Sequence, residues 1–252
     1  MEKRRAGQVG RFACVAIVAL SISLLAQPFP RGLPNLPDSP NLRDLPDLLD
    51  LPGQSNSPKP KLFDPMDLGL LDAPDRDQWS KPDQVMDALA VAEGSKVADV
   101  GAGGGWFTIH LSRRVGPNGV VYAEDIQPEM IEAINRRVQH ANLTNVKPVL
   151  GMPNDARLPA GLDAVLIADS YPEMDDPPGS AVPLLKNLAR SLKPQGRIGI
   201  LNFTPGGGGP GPVERVAPEA VVERAAEAGL QLIKREDLPP FLYLLVFGRS
   251  KS

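Results

Sequence analysis

The sequence predicts an α/β fold: a doubly wound sheet of mainly parallel strands. Three observations carry this. A short apolar run, Val97-Ala98-Asp99-Val100, leads into a glycine cluster from Gly101 to Gly105. An amphipathic segment then opens with Phe107, Ile109, Leu111 and Val115. That is strand, tight turn and helix. Further apolar runs near 119–124, 146–150, 162–168 and 197–203 alternate with segments of helical period, as parallel strands joined by crossover helices do. The run at 162–168 is apolar almost throughout, as expected of a strand buried on both faces.

Composition bounds the rest. The chain has 252 residues, enough for one ordinary domain and an extension. A net charge of −3 gives no argument for a nucleic-acid partner or an anionic membrane surface. The single cysteine, Cys14, lies in an apolar N-terminal run, so no disulfide framework, cysteine metal site or cysteine nucleophile is expected in the folded part. His110 and His140 fall on separate expected helices, and no metal site is expected.

Lys3, Arg4, Arg5 and Arg11 flank an apolar stretch at 12–26. About 15 apolar residues behind a basic flank match a signal peptide better than a span, which needs about 20. Leu24 sits where a cleavage site prefers a small residue, so an uncleaved membrane anchor through 12–26 stays open. Either form predicts an exported, periplasmic or outward-facing anchored protein; a misread N-terminus would leave it cytoplasmic. Residues 27–60, with prolines recurring from Pro28 to Pro60, read as a disordered linker. The folded domain is expected at 61–252.

Within it, Ser80-Lys81-Pro82-Asp83 reads as a helix start with Ser80 as N-cap; Val85, Met86, Leu89 and Ala90 form its buried stripe, and Gly94 ends it. The preceding Arg76-Asp77-Gln78-Trp79 either covers a ligand or packs as a helix staple. The second strand, at 119–124, ends in Glu124-Asp125, and a helix follows over 128–140. The third strand is 146–150 and precedes Asn154-Asp155-Ala156-Arg157-Leu158-Pro159. The fourth, 162–168, ends at Asp169-Ser170-Tyr171. Ligands of open parallel sheets lie beyond the carboxyl ends of the strands, which makes Asp169 and Tyr171 the candidates for the reacting side. A helix at 181–192 and a fifth strand at 197–203 lead to a glycine-rich loop at 204–212, read as a mobile lid or a plain connector. A helix at 218–228, ended by Gly229, and strands at 230–234 and 242–247 close the chain.

The glycine spacing separates two ligands. A dinucleotide fingerprint wants G-x-G-x-x-G, and its last position here is Trp106. Read as G-x-G-x-G, Gly101, Gly103 and Gly105 all fit, with Asp99 two residues ahead. That form resembles the first motif of class I S-adenosylmethionine (SAM) dependent methyltransferases. Asp125-Ile126-Gln127-Pro128-Glu129-Met130, Asp155-Ala156 before Leu-Pro, and the Leu-Lys-Pro-x-Gly-x-Ile turn into strand five also resemble that family, in order and spacing. The resemblance implies a Rossmann-like seven-stranded sheet of order 3-2-1-4-5-7-6 with an antiparallel last strand. It implies SAM as cofactor, Asp125 rather than Glu124 on the ribose, Ile126 on the adenine face, Asp155 and Ala156 at the adenine amino group, and a small-molecule methyl acceptor. Two other readings stay open: an exported SAM-binding or inactive scaffold without turnover, and a nicotinamide-dependent oxidoreductase. Acceptor and oligomeric state are not legible.

Overall fold

The structure, a computed structural model, describes residues 62–209 and 215–250. The expected leader or anchor at 1–26 and the linker at 27–60 lie outside the described residues. Seven strands, β1 (Lys96–Val100), β2 (Val120–Asp125), β3 (Val146–Leu150), β4 (Leu162–Ala168), β5 (Leu192–Phe203), β6 (Leu230–Leu238) and β7 (Leu242–Arg249), form one sheet. Their order is β3-β2-β1-β4-β5-β7-β6. β1 to β5 pair in parallel, and β7 runs antiparallel between β5 and β6. Order and hand of the last strand are as the sequence resemblance implied.

Seven helices accompany the sheet among the described residues: α1 (Arg76–Ser80), α2 (Pro82–Ala88), α3 (Trp106–Val115), α4 (Pro128–His140), α5 (Tyr171–Met174), α6 (Ala181–Ser191) and α7 (Pro218–Glu227). Successive strand residues point to opposite faces, and β1 shows the consequence. Val97 packs with Val85, Phe107, Leu111 and Val115 of α2 and α3. Ala98 and Val100 pack with Leu184, Leu185 and Leu188 of α6 and Val221 of α7. Full burial of each such aliphatic side chain contributes about 1.5–3 kcal/mol.

Local differences from the sequence expectation have simple causes. The α2 N-cap is Lys81, in a left-handed conformation, because Ser80 is the last residue of α1 and is buried there. α2 stops at Ala88, since Ala90 turns with φ 55°. β5 starts five residues early, at Leu192, because the chain passes from α6 directly into pairing with Leu162. β6 and β7 are longer than expected, because the charged run from Lys234 to Asp237 pairs with β7 instead of turning.

One polar contact ties the central strand to the helix behind the glycine turn. Thr108 Oγ1 donates to Asp99 Oδ2 at 2.6 Å, with both side chains buried. Thr108→Val keeps the shape and leaves a buried carboxylate oxygen without its donor. This is expected to cost about 1–3 kcal/mol, read as a lower urea midpoint. An unchanged midpoint would show that the contact contributes nothing.

Candidate functional site

The site is built at the carboxyl ends of β1, β2 and β4. Gly101, Gly103 and Gly105 take φ values of 68°, 54° and 81°, a region L side chains rarely enter. Ala102, Gly104 and Trp106 do not, which accounts for glycine at every second position. Gly105 is the N-cap of α3 and Trp106 its first residue, so no glycine is required where the dinucleotide fingerprint has one. The turn also packs closely: a Cβ on Gly101 would lie 2.5 Å from Ser170 Oγ and 2.8 Å from Met174 Cε.

Three buried carboxylates and the half-buried Asp169 converge around this turn. Asp125, 7% exposed, accepts the Gly103 N–H on Oδ2 at 2.9 Å and the Gln127 N–H on Oδ1 at 3.0 Å. Its acidity is weakened by burial, against the pull of those N–H groups. Glu124, 2% exposed, lies on the opposite face of β2 and receives the Gly101 N–H at 3.4 Å. It packs so closely on Gly151 that a Cβ there would stand 1.8 Å from Oε1. Burial, and next the Asp125 charge, push Glu124 up to about 8. Burial likewise raises Asp99 to about 6, against the Thr108 hydrogen bond and the charge of Arg76. Asp169 rises to about 6 by burial, opposed by Arg76.

The expected adenine-side residues sit in the loop after β3. Ala156 is fully buried and its N–H donates to Asn187 Oδ1 at 3.2 Å; Asn187 Nδ2 donates to Asp155 Oδ1 at 2.9 Å. Asp155 is exposed but near enough to Glu124 to raise it. Ile126 is half-buried beside Asp125. The structure thus brings Asp99, the three glycines, Asp125, Ile126, Asp155 and Ala156 to one end of the sheet.

On the β4 side, Asp169 holds a left-handed backbone with φ 63° and donates its N–H to Leu201 O at 2.9 Å. Its Oδ2 accepts from Arg76 Nη2 at 3.0 Å, while Oδ1 has no hydrogen-bond partner among the described residues. Such strain persists only where the surroundings impose it, and it collects at functional sites. Tyr171 is different. It is 0% exposed, packs in the core with α6 and α7, and burial pushes its phenol well above the usual range. Tyr171 Oη also lacks a hydrogen-bond partner among the described residues, but it lies within that core, whereas Asp169 is half-buried. Aromatic rings gather at the end of β5, where Trp79 lies 5.7 Å from Phe203. Arg215 holds the loop that follows, its Nη1 donating to the carbonyl oxygens of Thr204, Gly207 and Gly208.

Residues the sequence reading passed over cross this end of the sheet. The Phe63 N–H donates to Glu173 Oε2 at 3.3 Å, and Phe63 O accepts from Gln127 Nε2 at 3.1 Å. Leu68 lies over Gly104, Asp72 pairs with Arg137, and Arg76 pairs with Asp169. Residues 63–76, including a 3-10 helix at Pro65–Asp72, thus strap the loops after β1, β2 and β4 together. No periodic pattern marks this segment. Only the Arg76-Asp77-Gln78-Trp79 cluster signalled it.

A doubly wound sheet with its last strand inserted antiparallel, a G-x-G-x-G turn and acids at the ends of the first two strands define the class I methyltransferase fold. The family model described as Methyltransferase domain matches residues 97–196. The chain is 33% identical over 118 residues to a protein-L-isoaspartate O-methyltransferase of Methanothrix thermoacetophila, covering 45% of this chain and 50% of that protein. It is 30% identical over 117 residues to a demethylmenaquinone methyltransferase of a Geobacillus species, covering 46% and 48%. The chain thus spans about half the length of these relatives. A SAM-dependent methyltransferase structure from Aquifex aeolicus superposes with a TM-score of 0.68 at 28% identity, over 74% of this chain and 98% of that one. Residues 97–196 therefore match a methyltransferase domain, and the likeness to the SAM-dependent methyltransferase from Aquifex aeolicus supports SAM as the cofactor.

The expectation of an exported or anchored protein is corrected. Among the described residues no helix is long and apolar enough to cross a membrane. The relatives given above are among the methyltransferases this chain matches, and neither finding supports a leader or anchor. The stretch at 12–26 that carried the expectation lies outside the described residues.

Proposed function

We propose that this chain transfers the methyl group of SAM to a small-molecule acceptor bound beyond the ends of β4 and β5. The observation that carries the reading is the charge of the cleft: Asp99, Glu124, Asp125 and Asp169 are packed around one glycine turn, with Arg76 as the buried cation among them. SAM bears a sulfonium, an ammonium and two ribose hydroxyls, so cations and hydrogen-bond donors meet acceptors, and the residues fit it. A dinucleotide pyrophosphate on the same turn would face those carboxylates, which disfavours the oxidoreductase reading.

In this reading Asp125 binds the ribose. One lone pair of each oxygen is taken by a backbone N–H, and the others face the hydroxyls. Glu124 lies close enough to share that role. Ile126 covers the adenine, and the Asp155-Ala156 turn, clamped by Asn187, meets its amino group. SAM supplies a methyl group already activated by its sulfonium. The protein's work is to align donor and acceptor, a contribution of roughly 7–11 kcal/mol in favourable cases. Asp169 Oδ1 accepts the hydrogen of an acceptor that must lose one. Trp79 and Phe203 give that side an aromatic wall, suited to a ring-bearing acceptor.

Titration calorimetry with SAM, S-adenosylhomocysteine and NAD tests the reading, followed by labelled-methyl transfer to a panel of phenolic and quinol acceptors. Both sulfur ligands are expected to bind and NAD is not. Binding without transfer to any acceptor would favour a domain lacking turnover. Asp125→Ala is expected to weaken SAM by roughly 10- to 100-fold, since hydrogen bonds to a charged group contribute about 1.5–3 kcal/mol each. Unchanged affinity would move the ribose to Glu124.

A further inference from the structure

We propose that Arg76 is a positioning residue: the latch that holds the strap of residues 63–76 across the cofactor cleft and, by the same contact, orients the Asp169 carboxylate for the acceptor. The inference rests on the SAM reading above and deepens it, by tying closure over the donor to readiness on the acceptor side.

Among the described residues the strap buries little else. Among the described side chains from Leu62 to Trp79, Arg76 alone is buried, at 6% exposure. Met66 and Leu70 are 90% and 73% exposed. Closure therefore buries little apolar surface, which places the segment at the low-stability end of the molecule. Among the described residues its other clasps include the two Phe63 backbone hydrogen bonds, the Leu68–Gly104 contact and the half-exposed Asp72–Arg137 pair. Exposed or partly exposed pairs hold weakly, whereas a buried pair loses strongly when one partner is removed.

The Arg76 guanidinium is held on two sides. Its Nη2 reaches Asp169 Oδ2 at 3.0 Å, and its Cζ lies 4.4 Å from the centre of the Trp106 ring. The charges facing it are Asp169 at the end of β4, Asp99 of β1 and Asp72 of the strap; Asp169 is faced by Arg76. Lifting the strap would remove the one cation that faces Asp169 among the described residues. It would also free the Asp169 carboxylate from the orientation that leaves Oδ1 available. A closed strap and an oriented acceptor-side carboxylate are thus one state.

The molecule supplies its own reporter. It has two tryptophans, Trp79 and Trp106, and Arg76 lies 5.8 Å and 4.4 Å from their rings. The experiment compares the full chain with Arg76→Gln, Arg76→Lys and Asp169→Asn. Tryptophan emission, the SAM release rate by stopped flow and the Asp169 titration by carboxyl NMR are the readouts, the last assigned with Asp169→Asn. Arg76→Gln is expected to red-shift the ligand-free emission, speed SAM release at least tenfold with entry little changed, and raise the Asp169 titration midpoint. Arg76→Lys should restore the midpoint in part but not the emission, because an ammonium keeps the charge but not the guanidinium's contact with the tryptophan rings. Asp169→Asn should reproduce the emission and release changes, and it decides the case if Arg76→Gln does not fold.

Emission, release and titration all unchanged in Arg76→Gln would overturn the latch. If the unaltered protein itself binds no SAM, the cofactor reading fails. The ligand-free emission and the Asp169 midpoint then still decide whether Arg76 holds the strap.

Discussion

Gly101→Ala is expected to weaken SAM binding by roughly 10- to 100-fold and to lower stability. Two causes add. The position has φ 68°, and a non-glycine residue held in a sparsely populated region costs about 1–3 kcal/mol. The new methyl group would also meet Ser170 Oγ at 2.5 Å and Met174 Cε at 2.8 Å, and overpacking costs about 1–3 kcal/mol more. Relief requires either the turn or the start of α5 to move, and both flank the cleft. Gly161→Ala separates the causes, because Gly161 has φ 85° with nothing within 4 Å of an added Cβ and precedes β4 at its amino end. It should lose stability alone and bind SAM normally. A Gly101→Ala protein that binds SAM as tightly as the parent would remove the turn from the site.

The second large effect is on pH. Between about pH 5 and 8.5 the ligand-free protein is expected to lose stability as pH rises. Glu124 titrates near 4.5 in an unfolded chain and is pushed up to about 8 in the fold. In that window the native state holds a proton that the unfolded state has released, so stability falls with rising pH. At about 1.36 kcal/mol per unit, Glu124 alone accounts for a loss on the order of 4 kcal/mol. Asp99 and Asp169, each raised from 3.8 to about 6, act the same way at the acid end. Urea denaturation across this range measures it, and Glu124→Gln should flatten most of the slope. A cationic ligand reverses the cause: SAM binding near neutral pH should release protons, seen as a dependence of the calorimetric heat on buffer ionisation. Stability that is flat or rises across the window would show that these carboxylates are ionised and solvated.

The nucleotide end of the site was readable because its chemistry is local. Three alternate glycines can be seen in the sequence, and only glycine takes three such φ values at no cost. The apolar run of β4 carried its burial in its composition. Asp125 was preferred over Glu124 for its neighbours, although a two-residue alternation already places the pair on opposite faces of β2, each able to serve the cleft. Arg76 and Asp169 were both noticed, but 93 residues apart nothing linked them. Phe63 and Glu173, 110 residues apart, left no trace at all, since a backbone N–H has no sequence signature. Tyr171 was drawn to the site by its position after β4, but the turn into α5 sends its ring into the core. The long pairing of β6 was missed because Lys234 to Asp237 are polar, whereas an edge strand can carry charges on its exposed side.

The insertion of β7 between β5 and β6 has a consequence for how the molecule is made. β5 is complete at Phe203, but the strand that covers its free side begins only at Leu242. A ribosome adding residues in order must emit about forty more before that side is sealed, a delay of a few seconds at ~5–20 residues per second. During this interval Ile198, Ile200 and Leu201 stand beside an unpaired row of backbone donors and acceptors, a template for any neighbouring extended chain. Transcripts stalled or truncated in this interval should yield product that clumps or is captured by chaperones, whereas release after Arg249 should not.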